Sequence, residues 1–134
     1  MISKEQQLFD LLKKNIMPDL KKCEDKKSRY DCYSEKHSID IELKCRRTHY
    51  DNLLIERDKY EALVLRSKQK KTTPIYINST PVGVWSFKIN DIPMPIWENK
   101  YMPYTTDFSD NESIIKQVGY YSTSLGKNLT KLLK

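Results

Sequence analysis

The chain has 134 residues and a formal net charge of +6 with a pI near 9.1, which suits one domain over residues 1–134 with a real core and a polyanionic partner. Cys23, Cys32 and Cys45, with no C-x-x-C spacing and only two histidines beside them, exclude a zinc site or disulfide framework, and three isolated glycines exclude a phosphate-binding loop. His37 and His49 are too few for a His-Asn-His nuclease or a Ser-His-Asp hydrolase, and no segment approaches membrane-spanning length.

Ser3-Lys-Glu-Gln6 reads as a capping box, and Leu8, Phe9, Leu12 and Ile16 then share one face, which predicts a helix over 4–16 ending before Pro18. Glu5 lies one turn before Leu8 and Phe9, so it borders the packed face, where its plain role is that of a first-turn dipole partner. Residues 20–23 read as a short strand, and 24–28, with Lys26 and Lys27, as a basic loop. In Ser38-Ile-Asp-Ile-Glu-Leu-Lys-Cys45, Ile39, Ile41, Leu43 and Cys45 alternate with Ser38, Asp40, Glu42 and Lys44. On a strand of period two all the polar groups share one face. The aromatic-rich stretch 29–33 precedes a hairpin loop over 34–37, so Asp31 is expected on the partner strand within reach of Glu42.

Two close carboxylates on a partly buried surface are costly unless a cation neutralises them. Mg²⁺ favours hard oxygen ligands and keeps several waters, so one or two carboxylates plus substrate phosphate oxygens suffice to hold it. Lys44, on the same face, would orient the attacking water or stabilise negative charge developing on phosphorus.

Beyond Arg46 and Arg47, Thr48 is placed to cap a crossover helix over 50–66, in which Leu53, Tyr60, Leu63 and Val64 recur at helical spacing. Glu56 would fall on its packed side with Lys59 nearby, an intrahelical Glu and Lys pair being the plain reading. Strands follow over 75–78 and 82–89. The proline-rich stretch 91–104 reads as an ordered, irregular strap, with Trp97 in the core rather than stacking on bases. The remainder reads as a helical turn over 113–118, a short strand over 118–121 and a basic end over 125–134.

An aspartate on one strand followed by Glu-x-Lys on the next, within an α-β-β-β-α-β-β order, resembles the PD-(D/E)xK nuclease superfamily; the matching residues are Asp31 and Glu42-Leu43-Lys44. The proline that names the motif is absent, since Tyr30 precedes Asp31. The resemblance implies an α/β, restriction-endonuclease-like core: a central mixed β-sheet flanked by helices. It implies Asp31 and Glu42 as metal ligands, the backbone carbonyl of Leu43 as a further ligand, Lys44 as the catalytic lysine and Glu5 as the acidic residue of the first helix beside the metal. The implied cofactor is Mg²⁺ or Mn²⁺.

The implied activity is hydrolysis of DNA phosphodiesters. Small stand-alone members include junction resolvases that act as dimers, which makes branched DNA the candidate substrate and a homodimer the candidate assembly. Arg46, Arg47, Lys26, Lys27, Lys59, Lys68 and Lys70 are the candidate phosphate contacts, a solvated surface being the alternative for each. Compactness and richness in lysine, asparagine and tyrosine suggest a phage or mobile element. The opening Met1-Ile-Ser-Lys-Glu-Gln-Gln7 has no continuous apolar run, so the expectation is a soluble protein of the cytoplasm, that of the host if phage-encoded, with free thiols and no membrane partner. The competing reading is a non-catalytic nucleic-acid- or protein-binding module that retains the fold. Such a module would bind without a divalent metal and lose nothing when Lys44 is replaced.

Overall fold

The computed structural model describes residues 2, 4–24, 31–103 and 113–134. Helix α1 (Glu5–Asn15) turns Leu8, Phe9 and Leu12 inward, as their spacing requires, and closes where the Ile16 N–H donates to the Leu12 carbonyl at 2.9 Å. Its N-cap is Lys4, with no side-chain capping bond; Ser3 of the expected capping box lies outside the described residues. In the last turn Lys13 donates to the Leu20 carbonyl at 2.8 Å, which directs the chain into β1 (Lys21–Lys22).

β1 pairs antiparallel with β2 (Cys32–Ser34), and β2 with β3 (Ile39–Cys45) across a turn in which Ser38 takes a left-handed φ of 52°. The base of that turn is tied to the first helix's exit by Ser34, whose hydroxyl bonds the Asp19 carboxylate at 2.8 Å. β3 runs parallel to β5 (Thr73–Ser79), β5 pairs antiparallel with β6 (Val84–Lys88), and β9 (Lys127–Asn128) closes the far edge, giving the order β1-β2-β3-β5-β6-β9. A parallel neighbour demands a crossover. Helix α2 (Arg57–Lys70) supplies it.

The alternation along β3 separates the two faces of this sheet. Ile41 and Leu43, with Ile75 and Ile77 of β5, pack against α1 and against Leu129 and Leu133 near the chain end. The other face carries Asp40, Glu42 and Lys44, registered on Pro74, Tyr76 and Asn78, and borders a second core of Leu53, Ile55, Leu63, Tyr76, Phe87 and Tyr121. There Phe87 stacks with both Tyr76 and Tyr121, and the two tyrosine rings are tilted to each other, with centroids 5.2 to 6.4 Å apart.

Three expectations are corrected. The crossover helix does not begin near residue 50, because Asn52–Glu56 form strand β4, whose Leu53 and Ile55 are buried opposite Tyr121 and Gly119 of β8 (Ser113–Ser122). The helical turn expected over 113–118 is part of that same long strand. The strap ends as β7 (Glu98–Pro103), paired with β8, so a second sheet of order β4-β8-β7 stands beside the first. These strands find partners far away in sequence, a contact that local helical spacing does not register. Trp97 is half-buried, edge-on to Tyr60 at 5.2 Å and under the Arg57 guanidinium at 5.6 Å, so it belongs to the core side as expected. Gly119 lets the strap cross β8, because a Cβ there would collide with Pro95 Cβ. The three cysteines are free thiols, and among the described residues no helix is long and apolar enough to cross a membrane.

Candidate active site

Asp31 sits one residue before β2, and the β2–β3 register, which opposes Cys32 and Ile41, places it opposite Glu42 when continued by one residue. Directly opposed residues of an antiparallel pair project to the same side. The two carboxylates and Lys44 therefore share the polar face, as the alternation requires. Asp31 is 4% exposed and Glu42 7% exposed. Among the described residues no hydrogen bond or ion pair reaches the Glu42 carboxylate, whereas Asp31 accepts from Arg66 Nη1 at 3.0 Å. A nearly buried carboxylate without a protein partner is expensive, and it is the chemistry that a hard cation satisfies. No three Asp, Glu, His or Cys side chains among the described residues gather into a metal cage. The donor set fits an ion held by two carboxylates with water and substrate oxygens completing its shell, the habit of Mg²⁺.

Lys44 is surrounded by charge of both signs. Burial, and then the nearby Arg46, lower its proton affinity below the ordinary lysine range, while Glu56 and Glu5 oppose that shift and Lys59 adds to it. Glu56, at the end of β4, is pushed up by burial, but its 2.8 Å bond from Lys116 and the charges of Lys116, Lys44 and Arg46 hold it below the usual carboxylate range. Glu5 reaches the same end of β3, where its carboxylate accepts from the Cys45 N–H at 3.4 Å. It is thus close to Lys44 but is not brought into one group with Asp31 and Glu42.

The basic residues divide between inward-bound and solvent-facing placements. Arg46 is half-buried and turns inward: Nη2 donates to the Leu54 carbonyl at 3.4 Å, which also receives the Tyr76 hydroxyl at 2.8 Å. Asn78 donates to that hydroxyl at 3.0 Å, and its own Oδ1, like Arg46 Nε, is buried with no partner found among the described residues. Arg66 is likewise half-buried and bound to Asp40 at 3.0 Å, and Lys70, though exposed along its stem, sets its ammonium on Asp40 at 2.7 Å. The reason is steric and electrostatic together: α2 lies over the polar face of β3, and its long cations are the groups that reach the fully buried Asp40. Arg47 and Lys68 are exposed, and Lys59 is half-buried near Lys44. Lys26 and Lys27 lie outside the described residues.

Sequence reasoning passed over Asp40 as an acceptor, Arg66 as its partner and Lys116 as the partner of Glu56. The first two had a signal: Arg66 and Lys70 are one helical turn apart, and Asp40 shares its strand face with Glu42. Lys116 had none.

No protein-family model matches the sequence, and no curated protein matches it. Among solved structures the chain is similar to Hjc, a Holliday junction resolvase from the archaeal hyperthermophile Archaeoglobus fulgidus, with a TM-score of 0.56 and 14% identity over 96% of this chain and 93% of that one. At that identity the likeness is one of fold. The architecture is the expected restriction-endonuclease-like α/β fold, a central mixed sheet with two helices.

Proposed function

We propose that the chain is a metal-dependent endonuclease of the PD-(D/E)xK superfamily that hydrolyses DNA phosphodiester bonds, with branched or junction DNA as its substrate. The observation that carries this reading is the opposition of Asp31 and Glu42 on one sheet face, with Lys44 two residues further along that face, in a fold shared with a junction resolvase. Asp31, Glu42 and the Leu43 carbonyl would hold Mg²⁺ or Mn²⁺. When bound, such an ion supplies a Lewis acid for the phosphate and acidifies a coordinated water.

The rest falls to side chains of this chain. Lys44, half-buried between Glu56 and Glu5, presents its ammonium to negative charge gathering on the phosphate as a water oxygen bonds to phosphorus and one ester oxygen departs. Glu56, itself held by Lys116, opposes through its charge the effect of burial on that ammonium. Because resolving a junction requires two incisions, two copies acting together complete the reading.

The test is incubation of the purified chain with linear, circular and four-way-junction DNA in Mg²⁺, Mn²⁺ or EDTA, alongside Lys44→Ala. Junction cleavage that disappears both in EDTA and in the variant is the expected result. Metal-independent binding with no cleavage, unaffected by Lys44→Ala, would assign the chain to the non-catalytic alternative.

A further inference from the structure

Among the ionisable groups near the site, one arginine makes more contacts than docking a helix requires. Arg66 projects from α2, and all three donor positions of its guanidinium are engaged: Nε on Asp40 Oδ1 at 3.0 Å, Nη1 on Asp31 Oδ2 at 3.0 Å, and Nη2 on the Ile41 carbonyl at 3.4 Å. Asp40 has no exposure to solvent and also accepts from Lys70 at 2.7 Å and from the Thr72 hydroxyl. Lys70 is steadied in turn by the Tyr33 ring, 4.1 Å from its ammonium. A chain of alternating charge thus runs from Lys70 through Asp40 and Arg66 to Asp31, opposite Glu42.

Fastening α2 to the sheet needs only the Asp40 end of this chain, where three donors already converge. The reach of Nη1 across to Asp31, just ahead of the neighbouring strand, does something else. A planar guanidinium whose other two positions are fixed by a buried carboxylate and a strand carbonyl has little freedom left, so it imposes an orientation on the carboxylate it touches.

We propose that Arg66 is a positioning residue for the cation site, fixing the orientation of the Asp31 carboxylate before a divalent ion arrives. This rests on the reading of Asp31 and Glu42 as ligands of that ion. Removing a hydrogen-bonding partner of a metal ligand typically costs ~10 to 100-fold in metal affinity. A guanidinium that instead competed for the carboxylate would show the opposite sign.

The experiment is Mn²⁺ binding to the full chain, followed by titration calorimetry and by the EPR signal of the free ion, for the wild type, Arg66→Met, Arg66→Lys and Asp31→Asn. Asp31→Asn should lose binding, and Arg66→Met should weaken it by ~10 to 100-fold. Arg66→Lys, which keeps the charge without the fork, should fall between and covers the case in which Arg66→Met does not fold. In cleavage assays the two Arg66 variants should need more metal for half-maximal rate yet recover most of the rate at saturation, a split that a merely loosened fold would not give. If the Arg66 variants bind Mn²⁺ as tightly as the wild type, or more tightly, while Asp31→Asn does not bind, the positioning role is overturned and the nuclease reading stands. If Asp31→Asn binds like the wild type, the assignment of Asp31 as a ligand fails, and the role of Arg66 fails with it.

Discussion

Replacing Lys44 by methionine keeps the length and volume of the side chain and removes its charge, so it separates what the lysine does for chemistry from what it does for the fold. In the folded chain, burial and Arg46 make the ammonium harder to keep than in the unfolded chain, and Glu56 and Glu5 only partly offset this. Removing a charge that burial disfavours gives back its desolvation cost, and the loss of attraction to two carboxylates offsets part of that gain, so stability should change little. Cleavage should nevertheless fall by about 10² to 10³, equivalent to about 2.7 to 4 kcal/mol of transition-state stabilisation.

The pH dependence has a definite sign. The folded value of Lys44 lies below the usual lysine value of 10.5, so between the two the unfolded chain binds more protons and stability rises with pH. Lys44→Met should lack that rise. Urea denaturation followed by the fluorescence of Trp85 and Trp97, at neutral pH and across that window, measures the stability; single-turnover cleavage of a labelled junction measures the chemistry. A variant that loses more than about 2 kcal/mol of stability along with its activity would mark Lys44 as a structural cation and refute the reasoning.

Asp40→Ala leaves Arg66 and Lys70 without their buried acceptor and should destabilise the chain by about 3 to 5 kcal/mol in urea, a loss under about 1 kcal/mol showing that the network is incidental. Burial pushes the Asp40 carboxyl up, but bonds from Lys70, Thr72 and Arg66 outweigh it and hold the folded value below the usual carboxylate range. That stability is therefore present above the unfolded value and lost as pH falls through the folded one, and Asp40→Asn should flatten the acid limb of the stability profile. Gly119→Ala drives a methyl into Pro95 and should cost about 1 to 3 kcal/mol by thermal unfolding, so an unchanged midpoint would contradict the crossing of strap and strand. In binding to junction DNA, Arg47→Gln/Lys68→Gln should reduce the salt slope by about two units, whereas Arg46→Gln/Lys70→Gln should lower stability and leave the slope nearly unchanged. Equal slopes in both pairs would mean that neither patch meets phosphate.

Residues 38–45 carried their own structure. Strict alternation of apolar and charged side chains over that stretch can bury one face only as a strand, so Asp40, Glu42 and Lys44 had to share the other, and the short turn before it set Asp31 against Glu42. The spacing of Leu8, Phe9 and Leu12 likewise required a helix whose inner face is fixed by local geometry. What local spacing did not contain was the identity of distant partners. Asn52–Glu56 reads as the first turn of a helix until β8 lies against it, and the ten residues of β8 read as turn and short strand until β4 and β7 flank them.

The charged residues divide in the same way. Lys68 and Lys70 are alike in sequence, both basic and near the end of α2, yet one faces solvent while the other binds Asp40 over the Tyr33 ring. Arg46 and Arg47 are adjacent, yet one folds under the site and the other is exposed. A side chain's type states which charge it carries, but whether that charge meets water, a buried carboxylate or a phosphate depends on which element is packed above it. Only the tertiary structure decides that, because the cost of burying a charge is removed by a partner that the chain brings from elsewhere.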